Sequence, residues 1–201
     1  MPSYKAEELE RIAESFLGTH AAGKYDHRAL RIEAVVESYG YTIFQVPGLS
    51  QIAEAYIPIK PKYIFVDQDQ YDSGSFRWRF TLAEELAHIL IHLPMFSGKT
   101  VPEILQIQER ITDAQYAMIE RNAKFLAGCL LMTRRVFKER FQYFSEITYG
   151  QVSSSLTTNR RVIRQLSMDF NVSCYAAAIR AQHLKLLDQV DVEELIESFG
   201  W

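Results

Sequence analysis

The chain has 201 residues, of which 48% are hydrophobic, and its formal net charge at pH 7 is -3. This hydrophobic content allows one domain of ordinary size to bury a core without disulfide staples. The acidic balance excludes the broad basic field with which general nucleic-acid binders neutralise phosphates, so any contact with DNA would have to be local.

Cysteine content and hydropathy bear on the cellular compartment. Cys129 and Cys174 lie in apolar helical patterns, where small core residues are expected, and two thiols are too few for the disulfide framework of a secreted domain. The N-terminal segment is acidic where a signal peptide needs positive charge, and no stretch reaches the about eighteen apolar residues of a membrane span. We therefore expect a cytoplasmic protein without membrane contact.

Apolar spacing predicts two helices near the N-terminus. Leu9, Ile12 and Phe16 follow a helical stripe, and the first helix is expected to end near residue 18. A second helix is predicted over residues 27–39, because Gly40 follows where a helix C-terminus favours a left-handed residue.

Residues 41–67 predict three short strands of a small antiparallel sheet. They contain β-branched and aromatic runs (YTIFQV, AEAYIPI and KYIFVD) separated by proline and glycine. A polar turn is expected over 67–75 and a loop over 94–111. Helices are predicted over residues 80–93, 112–132, 134–145, 157–170, 173–187 and 191–199.

This order of helices, small sheet and further helices indicates an α+β fold. The stretch GQVSSSLTT over 150–158 resembles a linker. We therefore predict a first domain over 1–150 and a C-terminal helical segment over 151–201 that packs on it through its apolar faces.

The segment RFTLAEELAHILIH, residues 79–92, carries the chemically informative pattern. Glu84 and His88 are one helical turn apart and share a face, and Glu85 leans over the same place. Metallopeptidases of the H-E-x-x-H kind need two metal ligands at this spacing and an adjacent carboxylate as general base. A third ligand must come from another element, and the later helical segment IERNAKFLAGCLLM offers Glu120.

The pattern from Arg79 to His92, followed by E-x-x-A-x-x-x-A-x-x-L-L-M, resembles the ImmA/IrrE metallopeptidase family. The resemblance covers roughly residues 27–187 and implies a zincin-like active-site helix. By that resemblance Glu84, His88 and Glu120 are the metal ligands and Glu85 is the catalytic base. Glu84 departs from the pattern, because the family has histidine at this position.

A glutamate at position 84 would change the metal chemistry. The ligand set would hold two anions and one neutral donor, which raises the pKa of bound water and shifts preference from zinc toward harder ions such as manganese. Without metal, three neighbouring carboxylates would repel one another. We expect the site to bind zinc, another divalent metal such as manganese, or no metal. We also expect the peptidase activity to be reduced.

His92 permits an alternative metal site, because His88 and His92 are also one turn apart. In that register the residue after His88 is Ile89, so the general base is missing. We therefore expect His92 to support the ligand His88 rather than to bind the metal itself.

Basic residues are concentrated over 134–164, and residues 165–187 have the pattern of a helix-turn-helix whose second helix carries Arg180 and Lys185. These features permit a DNA-contacting surface. Such helix pairs are also ordinary packing units, and the apolar faces of this pair favour packing. DNA is therefore not the expected partner.

Two functions compete. The first is a metal-dependent endopeptidase with a protein or peptide substrate, for which the family resemblance suggests a helix-turn-helix repressor of stress or mobile-element genes. The second is a catalytically inactive pseudo-peptidase that regulates by binding a partner protein or DNA. These two functions are distinguished by whether the site binds metal with a glutamate at position 84.

Overall fold

The computed structural model describes residues 4–51, 55–56, 58, 62–73, 76–149 and 155–199. It contains two compact units, the first formed by Met1–Lys24 and Arg31–Leu130 and the second by Tyr25–Leu30 and Leu131–Trp201. The boundary predicted between residues 150 and 151 lies outside the described residues and stays a prediction.

In chain order the elements are α1 (Ala6–His20), β1 (Tyr25–Asp26), β2 (Ala29–Leu30), α2 (Ile32–Ser38), β3 (Thr42–Val46), a 3-10 turn (Leu49–Gln51), β4 (Ala55–Tyr56), β5 (Tyr63–Asp67), α3 (Gln68–Asp72), α4 (Phe76–Ile91), a second 3-10 turn (Leu93–Phe96), α5 (Val101–Glu109), α6 (Asp113–Leu131), α7 (Arg134–Tyr149), α8 (Ser155–Phe170), α9 (Cys174–His183) and α10 (Gln189–Phe199). The predicted α+β class is confirmed. None of the described helices is long and apolar enough to cross a membrane.

The sheet of the first unit is mixed, so the prediction of a fully antiparallel sheet was wrong. Its order is β3-β5-β4, with β3 parallel to the central strand β5 and β4 antiparallel to it. The parallel pair places Val46 beside Asp67, at the carboxyl ends of both strands. There the Asp67 carboxylate accepts hydrogen bonds from the backbone N–H groups of Ser50, 2.8 Å, and Gln70, 3.1 Å. One buried side chain thus joins the turn after β3 to the start of α3, which favours the parallel register.

The second helix begins later than predicted. Residues 25–30 form the short hairpin of β1 and β2, with His27 in the left-handed region at φ 51°, and α2 starts only at Ile32. Histidine and asparagine adopt this conformation more readily than bulky or β-branched residues. Because the apolar residues over 27–39 fit a helical spacing, the turn at the start of this stretch was not predicted.

Helix α5 occupies a stretch that was predicted to be a loop. Thr100 and Glu103 form a capping box, in which the Glu103 carboxylate accepts from the Thr100 backbone N–H at 2.7 Å. Pro102 lies in the first turn, where its missing N–H costs nothing. The short α3, in the predicted polar turn, is capped by Asp67 in a similar way.

Helices α4 and α6 supply the candidate site in the first unit. Leu82, Leu86 and Ile89 bury one face of α4, and Ala123 and Leu126 are fully buried on α6. Burial of these faces fixes how each helix is rotated about its axis, so the polar residues between the apolar ones have a defined direction.

The second unit is helical apart from the β1–β2 hairpin. Within it α8 contacts α7, α9 and α10, and its buried residues include Ile163, Leu166 and Phe170. The predicted helices agree with α8 and α10 to within two residues, whereas α7 extends to Tyr149 rather than residue 145 and α9 ends at His183 rather than residue 187. Arg180 of α9 is 1% exposed, and its Nε donates to the Met132 carbonyl at 2.9 Å. This buried arginine is a packing residue and cannot contact DNA.

Candidate metal centre

Helix α4 presents Glu84, Glu85 and His88 on the side that its buried leucines leave free. Glu84 and His88 are four residues apart, one helical turn, and all three side chains are half-buried. The predicted sharing of one face by Glu84 and His88 is therefore present in the structure.

Helix α6 brings Glu120 to the same place. Its Oε1 lies 3.6 Å from His88 Nε2. One ligand atom from each of Glu84, His88 and Glu120 lies within 4.8 Å of the other two. The structure thus joins the three residues that the sequence put forward as ligands, and their role as ligands stays a prediction.

The donor set fits a divalent cation. Ligand atoms about 2.0–2.2 Å from one ion are separated from each other by distances similar to the 3.6 Å between His88 and Glu120. One imidazole nitrogen and two carboxylates can bind zinc, and the excess of oxygen suits harder ions. Since the three groups come from two helices with buried faces, little rearrangement would be needed.

His92 contacts the far side of the His88 ring. The two Nδ1 atoms are 3.0 Å apart, so one ring must donate to the other, and this contact leaves His88 Nε2 directed toward Glu120. Burial, followed by the neighbouring His88, lowers the pKa of His92 to about 4, so both the donor and the acceptor role are open to a neutral ring at pH 7. His92 Nε2 is buried and has no hydrogen-bond partner among the described residues.

The carboxyl groups of α4 are held in a poorly solvated place. Burial raises the pKa of Glu84 to about 7, with Lys124 opposing this rise and Glu120 adding to it. Burial first, and then the charges of Glu84 and Glu120, together raise the pKa of Glu85 to about 8. Burial lowers the pKa of His88, against the attraction of Glu120. In the absence of a cation, Glu85 is therefore mostly protonated at pH 7.

Lys124 is a site residue that the sequence reasoning missed. Its Nζ lies 3.9 Å from Glu84 Oε1, and it follows Glu120 by one turn of α6. Its exposed fraction is 60%, compared with 18% for Glu84. The signal was present in the sequence, because residues four apart on a helix share a face, so a lysine after Glu120 had to be near the predicted cluster.

Comparisons with known proteins identify the family of the chain. The family model described as the IrrE N-terminal-like domain, a peptidase family, matches residues 41–182. No curated protein sequence matches the chain. A solved structure described as a Mycobacterium tuberculosis transcriptional regulator has 15% sequence identity and a TM-score of 0.56. That match covers 88% of this chain and 46% of the regulator, so this chain spans about half of it.

At this identity the structural likeness concerns the fold alone. The family match is broader evidence, because it extends from the strand β3 through the site helices to α9 and includes all of the clustered residues. The chain belongs to the IrrE N-terminal-like domain family of peptidases.

Proposed function

We propose that the protein is a metal-dependent endopeptidase whose activity is reduced by the carboxylate ligand at position 84. The observation that supports this most is the approach of Glu84, His88 and Glu120 to within 4.8 Å, with Glu85 beside them. If Glu84, Glu85 and His88 were only the solvent-exposed face of a helix, the position of the Glu120 carboxylate beside the His88 imidazole would have no explanation. A divalent ion would compensate the negative charge that these carboxylates bring together.

In this proposal Glu84, His88 and Glu120 hold the ion and Glu85 handles the proton. When bound, a divalent ion would polarise the scissile carbonyl, acidify water and lower the pKa of the carboxyl groups around it. Glu85, then ionised, accepts the proton of the attacking water and passes it to the leaving amine. His92 orients the His88 ring through the 3.0 Å contact between their Nδ1 atoms.

The proposed substrate is a protein segment, and the proposed location is the cytoplasm. The ImmA/IrrE resemblance points to a helix-turn-helix repressor as the protein that is cut. Cleavage of such a repressor would release the genes that it silences.

A non-catalytic regulator is the second candidate, and the state of Glu85 favours it. Burial first, and then the charges of Glu84 and Glu120, raise the pKa of Glu85 to about 8. A carboxyl group that is protonated at pH 7 cannot act as a general base. If no ion enters the cluster, the fold would therefore serve as a binding module for a partner protein.

Protein purified without chelators separates the two candidates. Elemental analysis should find zinc or manganese in the parent protein, and the parent should cleave a helix-turn-helix repressor slowly. The variant Glu85→Gln should keep the metal and lose cleavage, because a general base is not a ligand. Glu109→Gln, at the exposed end of α5, is the matched control and should behave as the parent does. A metal-free, inactive parent with intact fold would favour the regulator.

A further inference from the structure

Lys124 places a permanent positive charge beside the residues proposed to bind a metal. Its Nζ lies 3.9 Å from Glu84 Oε1, while Glu84 also belongs to the cluster with His88 and Glu120. The ammonium group and a divalent ion would therefore seek the same carboxylate.

The two cations repel each other if both are near Glu84. An ion bound to this carboxylate lies about 2 Å from its oxygen, which brings it within a few ångströms of Nζ in the position that the structure shows. At such distances the repulsion between a divalent and a monovalent charge remains appreciable even with solvent nearby. Metal binding at Glu84 and the observed position of the Lys124 ammonium group therefore oppose each other.

Lys124 can move aside, whereas Glu84 cannot easily do so. The lysine side chain is 60% exposed and its stem is flexible, while Glu84 is 18% exposed. An ion pair with one exposed partner contributes little to stability, so the lysine can turn into solvent at small cost.

We propose that Lys124 is an internal competitor for the metal site: its ammonium neutralises Glu84 when no ion is bound and must turn away before a divalent ion binds. This inference depends on the metal site of the proposed function. It gives a second reason why the site would bind a divalent ion weakly, and this reason is a residue that is not itself a ligand. The lysine thereby sets the metal concentration at which the site fills.

Titration with zinc alone and with manganese alone, followed by calorimetry, tests this inference. Lys124→Met keeps the apolar stem and removes the charge, so it should bind the ions about threefold more tightly than the parent, a gain within the small free energy of an exposed ion pair. Lys124→Arg keeps a positive charge and should bind as weakly as the parent. Arg121→Met removes one charge from an exposed position on the same helix and controls for the change in net charge.

Ionic strength provides a second measurement. Because Lys124 is exposed, salt screens its charge, so the advantage of Lys124→Met over the parent should shrink from 0.1 M to 1 M sodium perchlorate, as the screening length falls from about 10 Å to about 3 Å. A structural effect of the substitution would not depend on salt in this way.

The outcomes distinguish this inference from the proposed function. If the parent binds metal and Lys124→Met binds it equally or more weakly, Lys124 is not a competitor, and the metal site stands. If only Lys124→Met binds metal, the competitor is confirmed, and the parent is not a metalloenzyme. If neither folded protein binds metal, both the inference and the proposed metal site are wrong.

Discussion

Glu84 decides the metal chemistry of the site at the scale of single residues. It lies between an imidazole donor, a second carboxylate and an ammonium group, and burial raises its pKa to about 7. A carboxylate there adds negative charge to a site that already contains Glu120, whereas an imidazole would add a neutral donor suited to zinc. A substitution at Glu84 alone can therefore change the type of ligand while leaving the arrangement of the helices unchanged.

The change Glu84→His should raise zinc affinity by about tenfold or more, which corresponds to about 1.4 kcal/mol. The reason is that a borderline-soft ion gains an imidazole and one repelling carboxylate disappears. Zinc titration by calorimetry measures the effect, and Glu109→His serves as a control at an exposed position. Equal affinity in Glu84→His and the parent would mean that position 84 does not face the ion.

His92 should strengthen the His88 ligand without binding metal. Replacing His92 by Phe removes the 3.0 Å contact that orients the His88 ring, and such losses lower metal affinity by about 10–100-fold. Metal titration of His92→Phe checks this, with the exposed His183→Phe as the control. Unchanged affinity would show that the packing of α4 alone orients His88.

The residues of the candidate cluster could be predicted because helical spacing is regular. Glu84 and His88 follow from their four-residue separation, and Glu120 follows from the family pattern on α6. Lys124 was assigned no role, although it follows Glu120 by one helical turn and so shares its face. The contact between His88 and His92 also depended on side-chain directions that spacing leaves open.

At the scale of elements, helices with one apolar face were predictable, and short connections were not. The stripes of α1, α4 and α6 match buried residues because burial of one face has a helical period. The parallel pair of β3 and β5 is accompanied by a hydrogen bond from the Ser50 backbone N–H to Asp67, 17 residues away, and such a long-range contact leaves no local pattern.

Asp67 should make stability depend on pH. Hydrogen bonds from the backbone N–H groups of Ser50 and Gln70 lower its pKa below the ordinary 3.8, so the folded state binds its proton less readily than the unfolded state. The resulting stability is present above pH 3.8 and is lost as pH falls through the lowered pKa. In urea unfolding, Asp67→Asn should be less stable than the parent at pH 7, and this difference should shrink below pH 3.8.

The control for Asp67 is Asp113→Asn, an exposed position at the start of α6. It should change the unfolding free energy little at either pH. A difference between Asp67→Asn and the parent that stays constant down to pH 2.5 would contradict the role given to the backbone hydrogen bonds.

Arg180 should stabilise the second unit and take no part in DNA binding. Arg180→Ala leaves the buried Met132 carbonyl without its 2.9 Å donor and opens a cavity, so unfolding free energy should fall by about 3 kcal/mol. Lys185→Ala, on an exposed side chain, should have little effect. Urea unfolding measures both. Stable Arg180→Ala protein that has lost tight, salt-sensitive DNA binding would support the DNA-reading interpretation instead.

At the scale of the whole molecule, the family match and the two compact units follow different boundaries. The match covers residues 41–182 and so includes parts of both units, while all the clustered residues belong to the first. The short hairpin over 25–30 belongs to the second unit although the chain around it belongs to the first. A division of the sequence at a linker assumes that each domain is one continuous stretch of chain. It therefore could not predict that residues 25–30 belong to the second unit.

We infer that α4 and α6 together form one divalent-ion site. Calorimetric titration of the parent with zinc and with manganese tests it most directly, in parallel with His88→Ala and Glu120→Gln. We predict one ion per parent chain, with affinity strongly reduced in both variants, because each removes a ligand from a different helix. Absence of binding by the folded parent, or binding that survives both substitutions unchanged, would contradict the claim.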